Sequence, residues 1–331
     1  MKPKQTHSSR RTFLKQSTLA GFAVPLVASL EEFTLCAQQN SVSGASQPMA
    51  PTTAMPTGKI GNITMSRLIC GGNLISGYAH SRDLIYVSPL LKHYFTDDKI
   101  IETWRLSEQH GINTMILDLS DGRAAALYSK YRAQGGRIQY LAQLGPDKHD
   151  LKTPVKQAKD AGAVGALLLG NLGDAWTREG DVELIGELLA NIKAEGLIAG
   201  VAGHEVRTVK TVEQAGFKPD FYMKTLHQTD YWSHRRRDET KDVIDNYAID
   251  NYWCRDPKET IAYMSGIERP WIAYKVLAAG AIPPPSGFRH AFNNGADFVV
   301  VGMFDFQIRD DAAVAARAVK EAWNRDRDWF A

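Results

Sequence analysis

The stretch IAGVAGHEVRTVKTVEQAGFKPDFYMKTLH, Ile198 to His227, decides the fold. It reads as a small-residue strand ending in His204 and Glu205, an amphipathic helix stopped by Gly216, and an apolar strand carrying Lys224 and His227. Strand, helix and strand at this spacing form a βα unit whose polar residues gather where each strand ends. Repeated around a closed sheet, the unit gives a barrel with those residues at its mouth.

The same alternation runs outward from this unit in both directions. From Ser66 onward the strand candidates are 67–71, 114–118, 138–143, 165–170, 198–203, 221–225, 271–277 and 298–302. Helical patterns over 98–109, 122–134, 153–160 and 182–195 each close on glycine, the residue best suited to the left-handed position after a helix. Eight runs, each followed by a helix-like segment, predict a (β/α)8 TIM barrel over residues 58–331. A doubly wound open sheet stays as the alternative, because strand number alone does not close a barrel.

The chain has 331 residues, with 39 Lys plus Arg against 37 Asp plus Glu, 44% apolar and 9% aromatic residues. That composition suits one barrel-sized domain with a large core and an appendage. A net charge of +2 argues against a nucleic-acid partner. The one dense basic run, His234 to Arg237, is answered at once by Asp238 and Glu239 and reads as a solvated loop.

Residues 1–37 read as an address. Ser9-Arg10-Arg11-Thr12-Phe13-Leu14-Lys15 leads into a modestly apolar run from Ser17 to Leu30, the pattern of a twin-arginine (Tat) export signal. Gly21, Pro25 and the polar residues from Ser29 leave too few apolar residues for a membrane-spanning helix. Residues 38–57, rich in Ser, Thr, Pro, Gln and Ala, cannot bury a face and predict a disordered tether dispensable for folding. The expected location is periplasmic or extracellular, with the Tat machinery as a partner. Cys70 and Cys254 then remain as a pair that an oxidising compartment permits but does not require to join.

Two connections exceed simple turns, Asn73 to Phe95 and Leu226 to Asp256, and both fall on the C-terminal face where barrel sites are built. The second holds Tyr231, Trp232, Tyr247, Tyr252 and Trp253, with Asp245-Asn246-Tyr247 echoed by Asp250-Asn251-Tyr252. Aromatic faces beside carboxylates and amides suit sugar rings, and the segment is expected to close over the mouth. Packing of these aromatics onto the barrel is the competing reading.

Strand ends supply Asn73, Asp118, Gln143, Asn171, His204, Glu205, Lys224, His227 and Lys275. Lys224 and Lys275 lie in apolar strands, where a charge is costly unless paired or used. Strand alternation leads us to expect Tyr222 and Lys224 on the inward face with Phe221 and Met223 outward. By the same reasoning Lys275 shares an inward face with Ala273 and Leu277, leaving Ile272, Tyr274 and Val276 outward. A salt bridge to a neighbouring strand, for instance to Asp118, is the structural alternative. His204 and Glu205 could act as acid and base, and His204, His227 and a carboxylate could hold a divalent metal, although their spacing matches no metal motif. Gly280-Ala281-Ile282 and Gly302 stand where barrels bind phosphate, yet Gly302-Met303-Phe304-Asp305 offers an acid there, and a tight glycine turn is the simpler reading.

Thr57-Gly58-Lys59-Ile60-Gly61, Ser66-Arg67-Leu68-Ile69-Cys70-Gly71-Gly72, Gly111-Ile112-Asn113, Gly200-Val201-Ala202-Gly203 and Val301-Gly302-Met303 together resemble the aldo/keto reductase superfamily over roughly residues 57–325. The resemblance implies a barrel that binds NADP(H) and reduces carbonyls with an Asp, Tyr, Lys and His tetrad. Laid on that pattern, Ile116, Asp121, Gln143 and Asn171 occupy the four positions, so the tetrad is not retained. Phe304, Asp305 and Phe306 replace the residues expected to grip the extra phosphate.

These observations predict an exported barrel acting on a carbohydrate or related polyol, a small-molecule substrate. His204, Glu205, Lys224, His227 and Lys275 are the candidate acid, base and electrostatic groups. Asn73, Asp118, Gln143, Asn171, Trp232 and Trp253 are candidates for substrate binding. The cofactor is left open between NADP, a divalent metal and none. A divergent NADP-dependent oxidoreductase with tightly held nucleotide and a non-catalytic ligand-binding barrel are the alternatives.

Overall fold

A computed structural model describes residues 54–82, 84–118, 122–234, 242–246 and 251–331. The export signal, the tether to residue 53, Asp121, Arg235 to Arg237, Tyr247 and Asp250 lie outside the described residues. Among the described residues no helix is long and apolar enough to cross a membrane.

Eight parallel strands close into a barrel: β3 (Leu68–Cys70), β4 (Thr114–Asp118), β5 (Gln139–Leu144), β6 (Gly165–Leu168), β7 (Ile198–Gly203), β8 (Phe221–Thr225), β9 (Trp271–Tyr274) and β10 (Phe298–Val301). Their order follows the chain, and β10 closes on β3 with Val300 opposite Ile69. The open doubly wound sheet is thereby excluded. Two further strands, β1 (Thr57–Ile60) and β2 (Ile63–Ser66), form an antiparallel hairpin before the barrel. Gly61 turns it with φ 58°, a conformation glycine takes without a Cβ clash. Thr57, the last residue assigned to the tether, pairs with Ser66, so the ordered part begins earlier than residue 58.

Two apolar layers result from the strand pleat. Ile69, Ile116, Leu141, Leu167, Ala202, Met223, Ile272 and Val300 contribute one residue per strand to the barrel interior, with Ile60 and Met65 of the hairpin in the same cluster. Alternate residues such as Leu117, Ala142, Val201, Tyr222 and Ala273 pack outward into the helix layer. That layer includes α1 (Val87–Tyr94), α2 (Asp97–Gln109), α3 (Gly122–Ala133), α4 (Thr153–Asp160), α5 (Gly170–Glu179), α6 (Val182–Ala194), α7 (Val206–Gln214), α8 (Val243–Asn246), α9 (Pro257–Ser265), α10 (Pro284–Asn293) and α11 (Ile308–Glu321). The helix after β6 is an insertion the sequence pattern did not isolate: α5 starts at Gly170, a residue expected to end the strand.

The N-terminal ends of the strands are tied by one buried carboxylate. Asp297 accepts from Arg325 at 3.2 Å and Arg327 at 2.8 Å, and from the backbone N–H groups of Trp271 and Phe330, both at 2.9 Å. Arg67 donates to the Asp297 carbonyl and stacks on Trp329, its guanidinium 4.3 Å from the ring centroid. Four donors converge on this fully buried carboxylate and make it a structural knot below the site. Asp297→Ala leaves two buried arginines without their counter-charge and is expected to cost about 3–5 kcal/mol. Chemical denaturation checks this; a loss below about 1 kcal/mol would show the arginines to be satisfied by the surrounding carbonyls alone.

Candidate functional site

The polar residues that reach the C-terminal mouth follow from the parity of the inward layer. Two residues beyond Ile116, Leu141, Ala202, Met223 and Ile272 stand Asp118, Gln143, His204, Thr225 and Tyr274. Asp118 and Gln143 are register partners on adjacent strands, and both are partly buried. His204 and Tyr274 are buried, with ring centroids 5.3 Å apart.

His204 is held by a residue the sequence reading passed over. Gly173 in α5 has space only for hydrogen, since a Cβ there would lie 2.1 Å from the Ala202 carbonyl oxygen. The close approach brings the next residue, Asp174, against the end of β7. Its fully buried carboxylate accepts from the backbone N–H groups of His204 and Glu205, from the Thr208 hydroxyl at 2.7 Å, and from His204 Nδ1 at 2.7 Å. A carboxylate can only accept, so His204 carries its proton on Nδ1 and Nε2 is left as the acceptor. Burial lowers the His204 pKa, and the Asp174 bond opposes that shift.

Lys275 reaches the mouth by a different route from the one expected. Ile272 and Tyr274 point into the barrel and Ala273 points to the helices, the reverse of the expected facing. Lys275 then takes φ 57°, the left-handed region that a side chain rarely enters, which ends the strand and breaks its alternation. Its Nζ donates to His80 Nε2 at 2.9 Å and lies 4.0 Å from the centroid of the Trp253 ring. His80 Nε2 also accepts from Asn73 Nδ2 at 3.1 Å and packs edge-on against Trp253. Burial of the amine lowers the Lys275 pKa to about 7. The Tyr274 hydroxyl, buried at the same strand end, has no hydrogen-bond partner among the described residues. Burial, reinforced by the Asp174 charge, holds its pKa well above the usual phenol value.

Lys224 is corrected by the structure. Tyr222, on the same face, donates to Glu213 of α7, while Phe221 and Met223 fill the interior. The facing expected for this strand is therefore inverted, and Lys224 lies on the helix side of the wall. Fully buried, its Nζ donates to the Thr225 carbonyl at 2.8 Å and to the Thr225 hydroxyl at 2.9 Å; that hydroxyl donates to the His204 carbonyl at 2.8 Å. Lys224 thus braces the backbone behind the mouth.

His227 and Glu205 are also engaged. His227 Nδ1 donates to the Gln228 carbonyl, and Nε2 accepts the backbone N–H groups of Trp253 and Cys254 at 3.0 and 2.9 Å. That pattern needs a neutral ring, and burial, the largest cause, lowers its pKa to about 4. The Glu205 carboxylate pairs with Arg207 on the first turn of α7. Asn171 stands in the first turn of α5 rather than at a strand end.

The segment between β8 and α9 divides in its role. His227 fastens Trp253, which is buried and covers Lys275, while Tyr231 and Tyr252 pack against Ala278 and Ile282 beside the mouth. Trp232 is 90% exposed and is not brought to the site. Cys70 and Cys254 are buried free thiols.

Among the described residues no group of three or more His, Cys, Asp or Glu side chains could hold a metal. After β10, Asp305 is bound by Tyr94 and by Lys99 at 3.0 Å, and Phe304 stacks between Phe95 and Phe306. Asp310 and Asp311 occupy the first turn of α11. Asp310 pairs with Arg309 at 2.9 Å, and Asp311 is buried against the barrel.

No family model and no curated protein matches the chain in sequence. Two solved structures of an aldo-keto reductase from Pseudomonas aeruginosa are similar in fold, each 18% identical. One has a TM-score of 0.56 and covers 83% of this chain and 100% of that chain; the other has a TM-score of 0.54 and covers 80% and 94%. A mutant of Gox0644 in complex with NADPH is 11% identical with a TM-score of 0.52, covering 81% of this chain and 94% of that chain. What the chain shares with these structures is the fold, a closed parallel (β/α)8 barrel.

The Lys275 environment has a sign that can be tested. Its pKa in the folded protein lies below the unfolded value, so the unfolded chain binds more protons between about pH 7 and pH 10.5. Folding stability from this residue is lowest below pH 7 and rises with pH through that window. Lys275→Met is expected to melt higher than the native protein near pH 6, with the difference shrinking as the pH is raised to 10. A constant difference across that range would show that the amine is ordinary in basicity.

Proposed function

We propose that this chain is an exported enzyme that acts by acid–base chemistry on a carbonyl-bearing carbohydrate or related polyol. The observation that carries the reading is the meeting of a carboxylate-oriented imidazole, a protonated phenol and a neutral-range amine at one barrel mouth. The Tyr274 phenol, kept protonated by burial, can donate to a carbonyl oxygen as negative charge develops there. Lys275, near half-protonated at neutral pH, or Nε2 of His204 can take a proton from the adjacent carbon. The buried Trp253 ring forms an apolar wall against Lys275, and Asp118, Gln143, Asn171 and Asn73 are the nearby candidates for hydroxyl contacts. Glu205, Lys224 and His227 support this machinery through backbone and ion-pair contacts.

An oxidoreductase reading is the second. Asp174, Tyr274, Lys275 and His204 are the same four residue types as the reductase tetrad, carried on other elements, and a similar fold has been solved with NADPH. Nucleotide released from the purified protein by acid would favour this reading.

Exchange of carbon-bound hydrogen tests the first reading directly. In deuterated buffer, NMR of a panel of aldoses, ketoses and oxidised polyols is expected to show enzyme-dependent deuterium next to a carbonyl for at least one compound. His204→Asn should slow it about 10²–10⁴-fold with little change in melting. Absence of exchange and of any consumption across the panel would sink the reading. The twin-arginine motif has its own test: Arg10→Lys with Arg11→Lys should retain the chain inside cells, and unchanged fractionation would remove the export proposal.

A further inference from the structure

A buried lysine, Lys224, and a half-buried one, Lys275, flank the mouth, and of the two only Lys275 is placed to meet a ligand. Lys224 is spent on Thr225 behind the wall, whereas Lys275 turns out of its strand through a left-handed backbone and stands under the Trp253 ring. A non-glycine residue at positive φ is strained, and such strain gathers at functional sites. Ala278 and Ala279, three and four residues on, share the left-handed conformation, so the whole turn departs from the ordinary end of a strand. We infer that Lys275 is a nucleophile that captures the carbonyl carbon of an aldehyde or ketone substrate as an imine.

The surroundings meet the requirements of each step. Nζ donates one N–H to His80 Nε2, which aims the amine and leaves its lone pair for the incoming carbon. As the C–N bond forms, the carbonyl electron pair moves to oxygen, which takes a proton. The carbinolamine then forms C=N as that oxygen departs with a second proton as water. Amine, carbonyl and one proton give a protonated imine and one water, with no oxidant or reductant. The protonated Tyr274 phenol is the donor nearest in the chain, and the Trp253 face against Nζ shelters the imine from water. The charged and titratable groups around the amine are His80, Tyr274, His204 and His227. Burial lowers the Lys275 pKa to about 7, which supplies unprotonated amine at neutral pH.

This inference rests on the reading of the mouth as a carbonyl site, and its test separates the two. The full chain is incubated with dihydroxyacetone or glyceraldehyde and sodium cyanoborohydride at pH 7, digested, and mapped by mass spectrometry. Lys275 is expected to gain the mass of the probe less one oxygen at least about tenfold faster than exposed Lys156. Lys275→Arg should abolish that modification while leaving the labelling of Lys156 unchanged. Should that variant fail to fold, the competition between Lys275 and Lys156 in the native protein still decides. Labelling of Lys275 no faster than of Lys156 with both probes overturns the inference. Imine trapping without deuterium exchange would leave capture standing and defeat the acid–base reading; exchange without trapping would do the reverse.

Discussion

Pleat in a closed barrel leaves each strand residue two choices, the interior or the helix layer, and most of this structure follows from that constraint. The interior is a packed core, so each strand must present it with apolar side chains until the last inward residue, where the barrel opens. That last position carries Asp118, Gln143, His204, Thr225 and Tyr274 on successive or nearby strands. The site is thus the outermost ring of the interior core, and its polar residues are the points at which that core meets water. Lys275 lies one residue beyond the ring on β9 and joins it only because its backbone turns left-handed. In an extended conformation at that point it would continue the alternation and face the helices with Ala273.

A second level of order comes from backbone groups that side chains hold in place. Asp174 ties the start of α7 to the end of β7 and in the same contact fixes the tautomer of His204. His227 does the comparable task across the loop, gripping two consecutive N–H groups and so holding Trp253 over Lys275. Its grip depends on a neutral ring. Protonation between pH 6.5 and its lowered pKa near 4 is resisted by the fold, so acid works directly against the closure of the mouth. Lys224 completes the support through Thr225, whose hydroxyl holds the His204 carbonyl. Chemistry-bearing residues named from the sequence thus separate into those at the mouth and those behind it.

The sequence shows the barrel well where hydrophobic runs end abruptly. β4, β7 and β8 span the residues read from the pattern alone, and the helices ended by Gly111, Gly162 and Gly196 stop where glycine allows a left-handed turn. Facing was harder to read. Phe221 and Met223 looked suited to the helix side, but a barrel interior is equally apolar and wants bulky side chains, while the Tyr222 hydroxyl needs the Glu213 carboxylate that only α7 provides. The hairpin at residues 57–66 carries no marked strand pattern, because its burial rests on Ile60, Met65 and Ser66, with Ile63 partly buried against the same cluster. Asp174 was invisible for a related reason. It sits inside a helical pattern, and its partners, the His204 and Glu205 amides, come from about thirty residues away, a separation that no local periodicity reports. The one available signal was Gly173, a mid-helix glycine whose use is close approach.

The contrast between Lys224 and Lys275 shows why residue type and burial alone do not identify a reactive group. Both amines are enclosed, and burial lowers the pKa of each. Lys224 compensates part of its desolvation by donating to two oxygens of one neighbouring residue, an arrangement that fixes the amine and turns it away from any ligand. Lys275 meets an imidazole nitrogen and an aromatic face instead. These partners hold the amine in position without supplying the carboxylate that would keep it permanently protonated. A fold that needed only a charge at this height could have paired it, as the Asp297 carboxylate pairs Arg325 and Arg327 at the opposite end of the strands. The strained turn, and an amine held by an imidazole instead of a carboxylate, set the mouth apart from the lower end, where each buried charge meets its opposite.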